Sequence, residues 1–403
     1  MNAVLKPVAK AVAEIYHARL GASGASGWMN CPAWQGGGAA SIHAATGSVI
    51  HEVSADCITA DWKASERVGE TFTSDGFEVE FNADHAAIAQ TYIDYCQSMM
   101  DVYKGGDYLV ETSLPIDHIT GEPNAISTID FGIIPPPGMT EALVVDLKTG
   151  AGVAVDAIGN PQGALYAIAM VDQYSLVAEI KTVRIVIVQP PLNYIGEWVV
   201  TVEELEVWRE KFQAAASLAM SENPVAVPGE KQCRWCQKKA TCKALAADMF
   251  NDLDQLPPEV LKEGEATTDE LAYAMGKVET MESWCKAVRA ETEKRLLDGR
   301  KVAGWKLVQG KRGNRQWSNA TDAEALLKAM RLKTEEMYSL SLISPTTADK
   351  LSKAGTIGPK QWVKVQALIT QKDGSPSVAP ESDKRDALDL ATTFTNLDQE
   401  VPH

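Results

Sequence analysis

No stretch of this sequence approaches the roughly 20 uninterrupted apolar residues that a membrane helix requires. The first twenty residues also lack the basic, apolar and cleavage regions of a secretory signal. The expectation is a chain with no membrane partner, working in the cytoplasm. Cationic charge is short as well: 38 Lys and Arg stand against 54 Asp and Glu, a net charge of −16. Phosphate affinity comes from cationic surface, so this balance excludes a protein coated in nucleic acid and leaves only local contact. Nor do the cysteines suit a secreted disulfide framework. They number seven, an odd count, and three fall between 233 and 242, which points to metal or cluster ligation.

The chain is 403 residues long and 45% apolar, enough for two domains and a buried core. The pattern Val49, Ile50, Val53, Cys57, Ile58 and Trp62 has helical spacing and carries His51 and Glu52 on a helix over about 48–66. A second helix is expected over about 82–103. Strand-like runs follow at 108–114, 125–134 and 142–148, then a helix over about 160–174 and strands at 183–188 and 198–200. Thr201 and Glu204 have capping-box spacing and open a helix to about 220. After Asp248 the composition turns acidic with Pro257-Pro258, which reads as a linker over 249–267. A long helix from Thr268 toward Gly299, a hairpin over about 302–317 and short helices fill 268–380. Residues 381–403 read as a poorly ordered tail.

Along the strand Ala142 to Lys148 side chains alternate, so Asp146 and Lys148 share a face. Asp130 lies mid-run between Ile129 and Phe131, a costly place for a lone acid unless a partner or a metal meets it. Acids on adjacent strands make a hard-cation site, with Asp130, Asp146 and the Leu147 backbone carbonyl as candidate ligands for Mg²⁺ or Mn²⁺. Lys148 would orient a nucleophilic water or offset developing charge. Glu111, one strand earlier, is either a further acid of the site or a solvated strand charge.

Asp130 followed by Asp146-Leu147-Lys148-Thr149-Gly150 resembles the second and third motifs of RecB-family nucleases in the PD-(D/E)XK superfamily. Those enzymes carry an upstream helical His, which His51 in Gly47-Ser48-Val49-Ile50-His51-Glu52 matches. They also carry a Gln and a Tyr four apart, which Gln162 and Tyr166 match. The resemblance spans residues 20–248. It implies His51 as a metal ligand, with Glu52 a weak ligand or a surface neighbour. It also implies Asp130, Asp146, Lys148, Gln162 and Tyr166 as catalytic residues.

Cys233-x2-Cys236-x5-Cys242 gives three thiolates among Lys231, Arg234, Lys238, Lys239 and Lys243, and Cys31 is the candidate fourth ligand. Structural zinc uses the same four thiolates, so spacing alone leaves zinc open. The sequence is similar to iron–sulfur nucleases of the AddB type and to the CRISPR-associated adaptation nucleases, which place one Cys before the nuclease motifs and three after them. That resemblance implies a [4Fe–4S] cluster tying the two ends of the domain. Cys57, Cys96 and Cys285 stand at helical positions and read as packing residues.

Between 283 and 316 ten Lys or Arg face three acids. Lys306, Lys311, Arg312 and Arg315 are candidate DNA contacts, and Trp305 and Trp317 either pack the hairpin onto the helix or stack on bases. Gly304-Trp305-Lys306-Leu307-Val308 and Pro380-Glu381-Ser382-Asp383-Lys384-Arg385 resemble a family of phage and prophage proteins of uncharacterised role.

The expected fold is α/β: a restriction-endonuclease-like core over 1–248 with a mixed central sheet flanked by helices, a cluster-bearing subdomain, and a mainly helical C-terminal domain. The expected activity is metal-dependent hydrolysis of DNA phosphodiesters, as an exonuclease, in phage recombination or processing within a bacterial host cytoplasm. DNA is the partner, with a phage single-strand annealing or binding protein as a second. The rivals are a catalytically inactive scaffold that recruits a recombination partner, and a redox-responsive regulator.

Overall fold

A computed structural model describes residues 18–37, 41–254, 267–306 and 345–369. The chain divides into two compact units, Met1–Val308 and Gln309–His403. In chain order the first unit holds α1 (Ala25–Trp28), α2 (Ile42–Ala60), β1 (Thr71–Ser74), β2 (Phe77–Glu80), α3 (Ala83–Val102), β3 (Asp107–Pro115), α4 (Asp117–Thr120), β4 (Ile126–Ile134) and β5 (Glu141–Leu147). It continues with α5 (Pro161–Tyr174), β6 (Thr182–Gln189), β7 (Tyr194–Thr201), α6 (Val202–Ala219), α7 (Glu230–Arg234), α8 (Lys243–Asp254) and α9 (Thr268–Leu297). Of the second unit, α10 (Pro345–Lys353) and α11 (Pro359–Gln366) are described. Among the described residues no helix is long and apolar enough to cross a membrane.

Local chemistry sets the ends of these helices. The Ser41 side chain accepts the Ala44 N–H and starts α2, and Asp61 in the left-handed region at φ 56° stops it. Asn160 caps α5, with Pro161 at its first position. Thr201 and Glu204 form the reciprocal capping box of α6. Helix α8 runs to Asp254, into the stretch read as a linker. Helix α9 packs on the cysteine segment through Lys239 Nζ, which donates to Ser283 Oγ at 2.8 Å, and through Phe250 edge-on to Trp284.

The five strands β3 to β7 lie side by side in chain order. Neighbours are antiparallel except β5 and β6, which run parallel because α5 crosses between them. Both faces are covered. Trp28, α5 and α6 fill one core; α2, α3 and Phe81 fill the other. Strand β5 feeds both by alternation, with Ala142 and Val144 in the first and Leu143, Val145 and Leu147 in the second.

That alternation breaks at one place. In β4, Ile129 and Phe131 are two apart yet enter opposite cores, and in β3 Leu109 and Leu114 are five apart yet share one. The break coincides with Glu111, at φ 41°, which drops out of the ladder between the pairs Val110–Phe131 and Thr112–Ile129. A non-glycine residue in the left-handed region of a strand is strained, so packing on both sides must hold it there.

The segment before α1 is fixed by a buried carboxylate. Glu122 accepts the N–H groups of Arg19 at 2.9 Å and Leu20 at 2.8 Å, and the Arg19 guanidinium donates to the Ala219 carbonyl at 2.6 Å. Replacing Glu122 by Ala strands two backbone donors, at about 1–3 kcal/mol each. We expect Glu122→Ala to lose roughly 3 kcal/mol in urea unfolding and Glu122→Gln less than half of that.

Candidate active site

Strands β4 and β5 pair only at Phe131–Val145, Gly132–Val144 and Ile133–Leu143, whereas β5 stays paired with β6 out to Leu147–Val188. Continuing the β4–β5 register by one pair would set Asp130 opposite Asp146. The two strands part there instead. Asp130 Oδ2 accepts the Leu147 N–H at 2.7 Å, replacing the lost ladder bond by a side chain. Leu147, expected to contribute its carbonyl, thus meets Asp130 through its N–H.

On the α2 side of this fork, His51 Nδ1 lies 3.4 Å from Asp130 Oδ1 and 3.8 Å from Glu111 Oε1. Donor atoms of these three residues all fall within 4.8 Å of one another, the group of that kind among the described residues. Burial opposes a charged imidazole, but the two carboxylates outweigh it and raise His51 to about 10. Helix α2 approaches the fork closely because Gly47, one turn before His51, lacks a Cβ. An added methyl there would meet Thr149 Oγ1 at 3.0 Å. Glu52, the neighbour of His51, is exposed.

On the α5 side, Asp146, Lys148, Gln162 and Tyr166 form a chain. Lys148 Nζ sits 2.8 Å from Asp146 Oδ2 as an ion pair outside hydrogen-bonding angles, and donates to Gln162 Oε1 at 2.8 Å. Gln162 Nε2 donates to Asp146 Oδ1 at 2.9 Å and to the Tyr166 hydroxyl oxygen at 3.0 Å. These contacts fix which way the Gln162 amide faces. Asp146 is 5% exposed, and burial pushes its carboxyl up against the opposing pull of Lys148. Lys148 is held above its usual value by Asp146 despite burial. Burial, with Asp146 and Asp130 nearby, keeps the Tyr166 phenol protonated. The structure therefore divides the expected ligand set: His51, Glu111 and Asp130 converge as donors, while Asp146 binds Lys148 and Gln162.

The four singled-out cysteines line one cavity of about 370 Å³, together with Trp34, Lys238, Lys239 and Lys243. Backbone N–H groups point at three of the sulfurs: Val227 at Cys31 (3.3 Å), Gly229 at Cys233 (3.4 Å) and Leu245 at Cys242 (3.4 Å). Burial pushes the Cys233 thiol up, and Cys236, Cys31 and Cys242 add to that shift. No three of the four sulfurs lie within 4.8 Å of one another. Cys57 and Cys96 are fully buried, as packing residues are, but Cys285 is exposed on α9, which corrects its reading. Trp305 is also exposed rather than packed, beside exposed Lys306 in a turn closed by the Val302–Trp305 bridge. Trp317, Lys311, Arg312 and Arg315 lie outside the described residues, as does the tail 381–403.

Among solved structures, one titled "Crystal structure of SSO0001" aligns at 11% identity over 41% of this chain and 79% of its own, with a TM-score of 0.22. So remote a likeness carries no argument. A family described as "Protein of unknown function (DUF2800)" matches residues 17–386, and with that span covering most of its 403 residues the chain belongs to this family.

Proposed function

We propose that the protein is a divalent-metal-dependent deoxyribonuclease of exonuclease type. Its five-stranded sheet is read as a restriction-endonuclease-like core, resembling RecB-family enzymes, whose two ends are clasped by an iron–sulfur cluster. The observation that carries this reading is the meeting of three metal-type donors, His51, Glu111 and Asp130, with Lys148 and its partners at one fork in the sheet.

The donor set fits a divalent ion. Carboxylates are hard oxygen ligands suited to Mg²⁺ or Mn²⁺, and one imidazole leans the set toward Mn²⁺. Such an ion supplies charge neutralisation on a phosphodiester and an attacking water of lowered pKa. His51, Glu111 and Asp130 would hold it, with Asp146 next to them. Lys148, steadied by Asp146 and Gln162, keeps a positive charge for a phosphate oxygen, and Tyr166 keeps a phenolic donor. DNA is the substrate in this reading, and a phage single-strand annealing or binding protein is a fitting partner for recombination. A scaffold with a decayed site is the rival. Retention of every acid, the Lys and the Gln–Tyr pair weighs against it.

Four thiols lining one cavity fit an iron–sulfur cluster, and the resemblance to iron–sulfur nucleases sets that reading ahead of structural zinc. Backbone N–H groups aimed at three sulfurs suit thiolate ligands of an iron–sulfur centre.

Digestion of end-labelled linear DNA with Mn²⁺ tests the nuclease reading, with circular duplex as the control an exonuclease leaves intact. Asp130→Asn and Glu111→Gln should each lower the rate by roughly a hundredfold or more with little change in folding. Lys148→Ala would leave the buried Asp146 carboxylate without its cation, a loss of about 3–5 kcal/mol, so it serves less well. Wild-type turnover in Asp130→Asn would sink the assignment.

A pH dependence follows from His51. Raised to about 10 without metal, its imidazole is protonated at neutral pH and must lose that proton to ligate. Mn²⁺ affinity should therefore rise with pH up to about 10, with about one proton released per ion bound. Calorimetry in buffers of different ionisation enthalpy measures this, and His51→Gln should flatten the slope. In the metal-free protein the sign is opposite: the stabilisation from charged His51 is complete below its unfolded value near 6.5 and is lost as pH rises through about 10.

For the clasp, anaerobic wild-type protein should be brown with about four irons per chain, and Cys31→Ser should be colourless. Stoichiometric zinc without iron would return the site to the zinc alternative. A full cluster in Cys31→Ser would remove that residue from the ligand set.

A further inference from the structure

Helix α9 is 30 residues long, yet among the described elements its chief partner is α7, the five-residue helix that carries Cys233. The contacts are specific. Met281 and Trp284 of α9 pack against a small core of Cys233, Leu245 and Met249, with Cys242 beside it. The Trp284 and Phe250 rings stand edge to face at 5.8 Å, and Lys239 Nζ donates to Ser283 Oγ at 2.8 Å. Every one of these partners lies within residues 233–250, and two of them, Cys233 and Cys242, belong to the four-thiol set.

That stretch has little of its own to hold it in shape. Helix α7 starts at Gly229 with no side-chain cap, and five residues are too few for a helix that is stable alone. After it the backbone forms turns, in which the Lys239 N–H donates to the Cys236 carbonyl at 3.3 Å and the Thr241 N–H to the Lys238 carbonyl at 2.9 Å. A core of three buried residues does not offset the entropy of ordering these turns and a long helix on top of them. The turns also stand between two spaces. Cys233, Cys236, Lys239 and Leu245 line the thiol cavity and equally a second cavity of about 740 Å³, which Ser283 and Trp284 of α9 line as well. Whatever fixes the thiols in the first cavity therefore fixes the wall that α9 meets in the second.

We propose that occupation of the four-thiol site is what docks α9, so that loss of the bound metal centre releases this helix from the cysteine turns. The inference rests on the reading that the four thiols hold a metal centre, and it does not depend on the nuclease reading. Ligand bonds set the positions of Cys31, Cys233, Cys236 and Cys242 together, so metal binding and ordering of the turns are one equilibrium. The surface that Met281, Ser283 and Trp284 grip exists to the extent that this equilibrium is drawn to the bound side. Released, α9 is long enough to stay helical. What changes is its place, and with it the place of exposed Lys286, Arg289 and Lys294. The coupling is reciprocal: if the metal holds α9, then α9 holds the metal.

The test uses the full chain, purified anaerobically with its metal and compared with the same protein stripped by EDTA and ferricyanide. Hydrogen exchange read by mass spectrometry follows the amides of residues 281–287, with those of α5 as the control. Stripping should speed exchange at 281–287 roughly tenfold or more while α5 stays within about twofold. The reciprocal arm leaves every thiol in place. Trp284→Ala should shorten the time that EDTA and ferricyanide take to remove the metal by roughly five- to tenfold. Trp284→Phe keeps a ring against Phe250 and loses only an Nε1–H that has no hydrogen-bond partner, so it should stay within about twofold of wild type.

Equal exchange at 281–287 in loaded and stripped protein overturns the docking, and so does an unchanged metal lifetime in Trp284→Ala. If stripping opens α5 as well, the lifetime arm decides alone. Bound zinc in place of iron would remove the cluster reading and leave the docking standing. Protein that carries neither metal after growth replete in both overturns the two together.

Discussion

Asp130 Oδ2 takes the Leu147 N–H at the point where β4 leaves β5, and much of the candidate site depends on that one hydrogen bond. A central strand cannot abandon a ladder in a dry core without leaving a donor unmade, which costs as much as a lost hydrogen bond. An aspartate solves this because its second oxygen stays free on the other side of the carboxyl group, and here that oxygen faces His51. The fork is thereby stable and chemically open. Its charges are also partly offset without metal. The three carboxylates of Asp130, Asp146 and Glu111 face two cations, the raised imidazole of His51 and the Lys148 ammonium, so the imidazolium occupies the electrostatic place of a metal cation.

Glu111 completes the fork by a different route. Its left-handed backbone interrupts β3 where β4 changes faces, so the two strands turn together and both carboxylates reach the α2 side. Glu122 does a comparable job at a distance, fixing the segment that runs through Trp28 to Cys31. Trp28 then packs on Phe212, and Phe212 on Trp208, which binds the N-terminal segment to α6 near the residues that lead to the other three cysteines. A ligand bound by Cys31 and Cys233 would close a loop of about 200 residues, a strong restriction on the unfolded chain.

Much of this was legible in the sequence, and the exceptions have physical causes. Periodicity and capping residues located α3, α5, α6 and the five strands to within a few residues, whereas α2 runs Ile42–Ala60 rather than over about 48–66, because Ser41 caps it before the apolar pattern starts and Asp61 stops it before that pattern ends. Asp146 and Lys148 share a face by alternation, and Gln162 and Tyr166 lie on one helix face, as their spacing requires. The β1–β2 hairpin carries a signal in Asp75-Gly76, both at positive φ, which a search for apolar runs passes over. The segment from Gly21 onward has no period because it packs by close approach. Gly24, Gly27 and Gly36 each give way to the Trp34 ring, and a Cβ on Gly27 would come within 2.2 Å of it. Glu122 and Gln189 were unreadable as structural residues, because a buried polar side chain looks the same in a sequence as a solvated one.

The acidic balance of the chain sharpens what the fork must do. The basic stretch after residue 283 suggested a phosphate-tracking surface, but part of its charge is already used. Arg295 pairs with Glu291 at 2.7 Å, Arg300 with Asp298 at 2.9 Å, and Lys286 lies 4.0 Å from Glu282. Exposed pairs of this kind contribute little to stability, yet each one weakens the field that a phosphate would meet. With a net charge of −16 over the whole chain, long-range attraction to a polyanion is weak or repulsive. Recognition of DNA in the proposed reading must therefore be short-ranged: a cation at His51, Glu111 and Asp130, the ammonium of Lys148, and contacts that do not depend on charge.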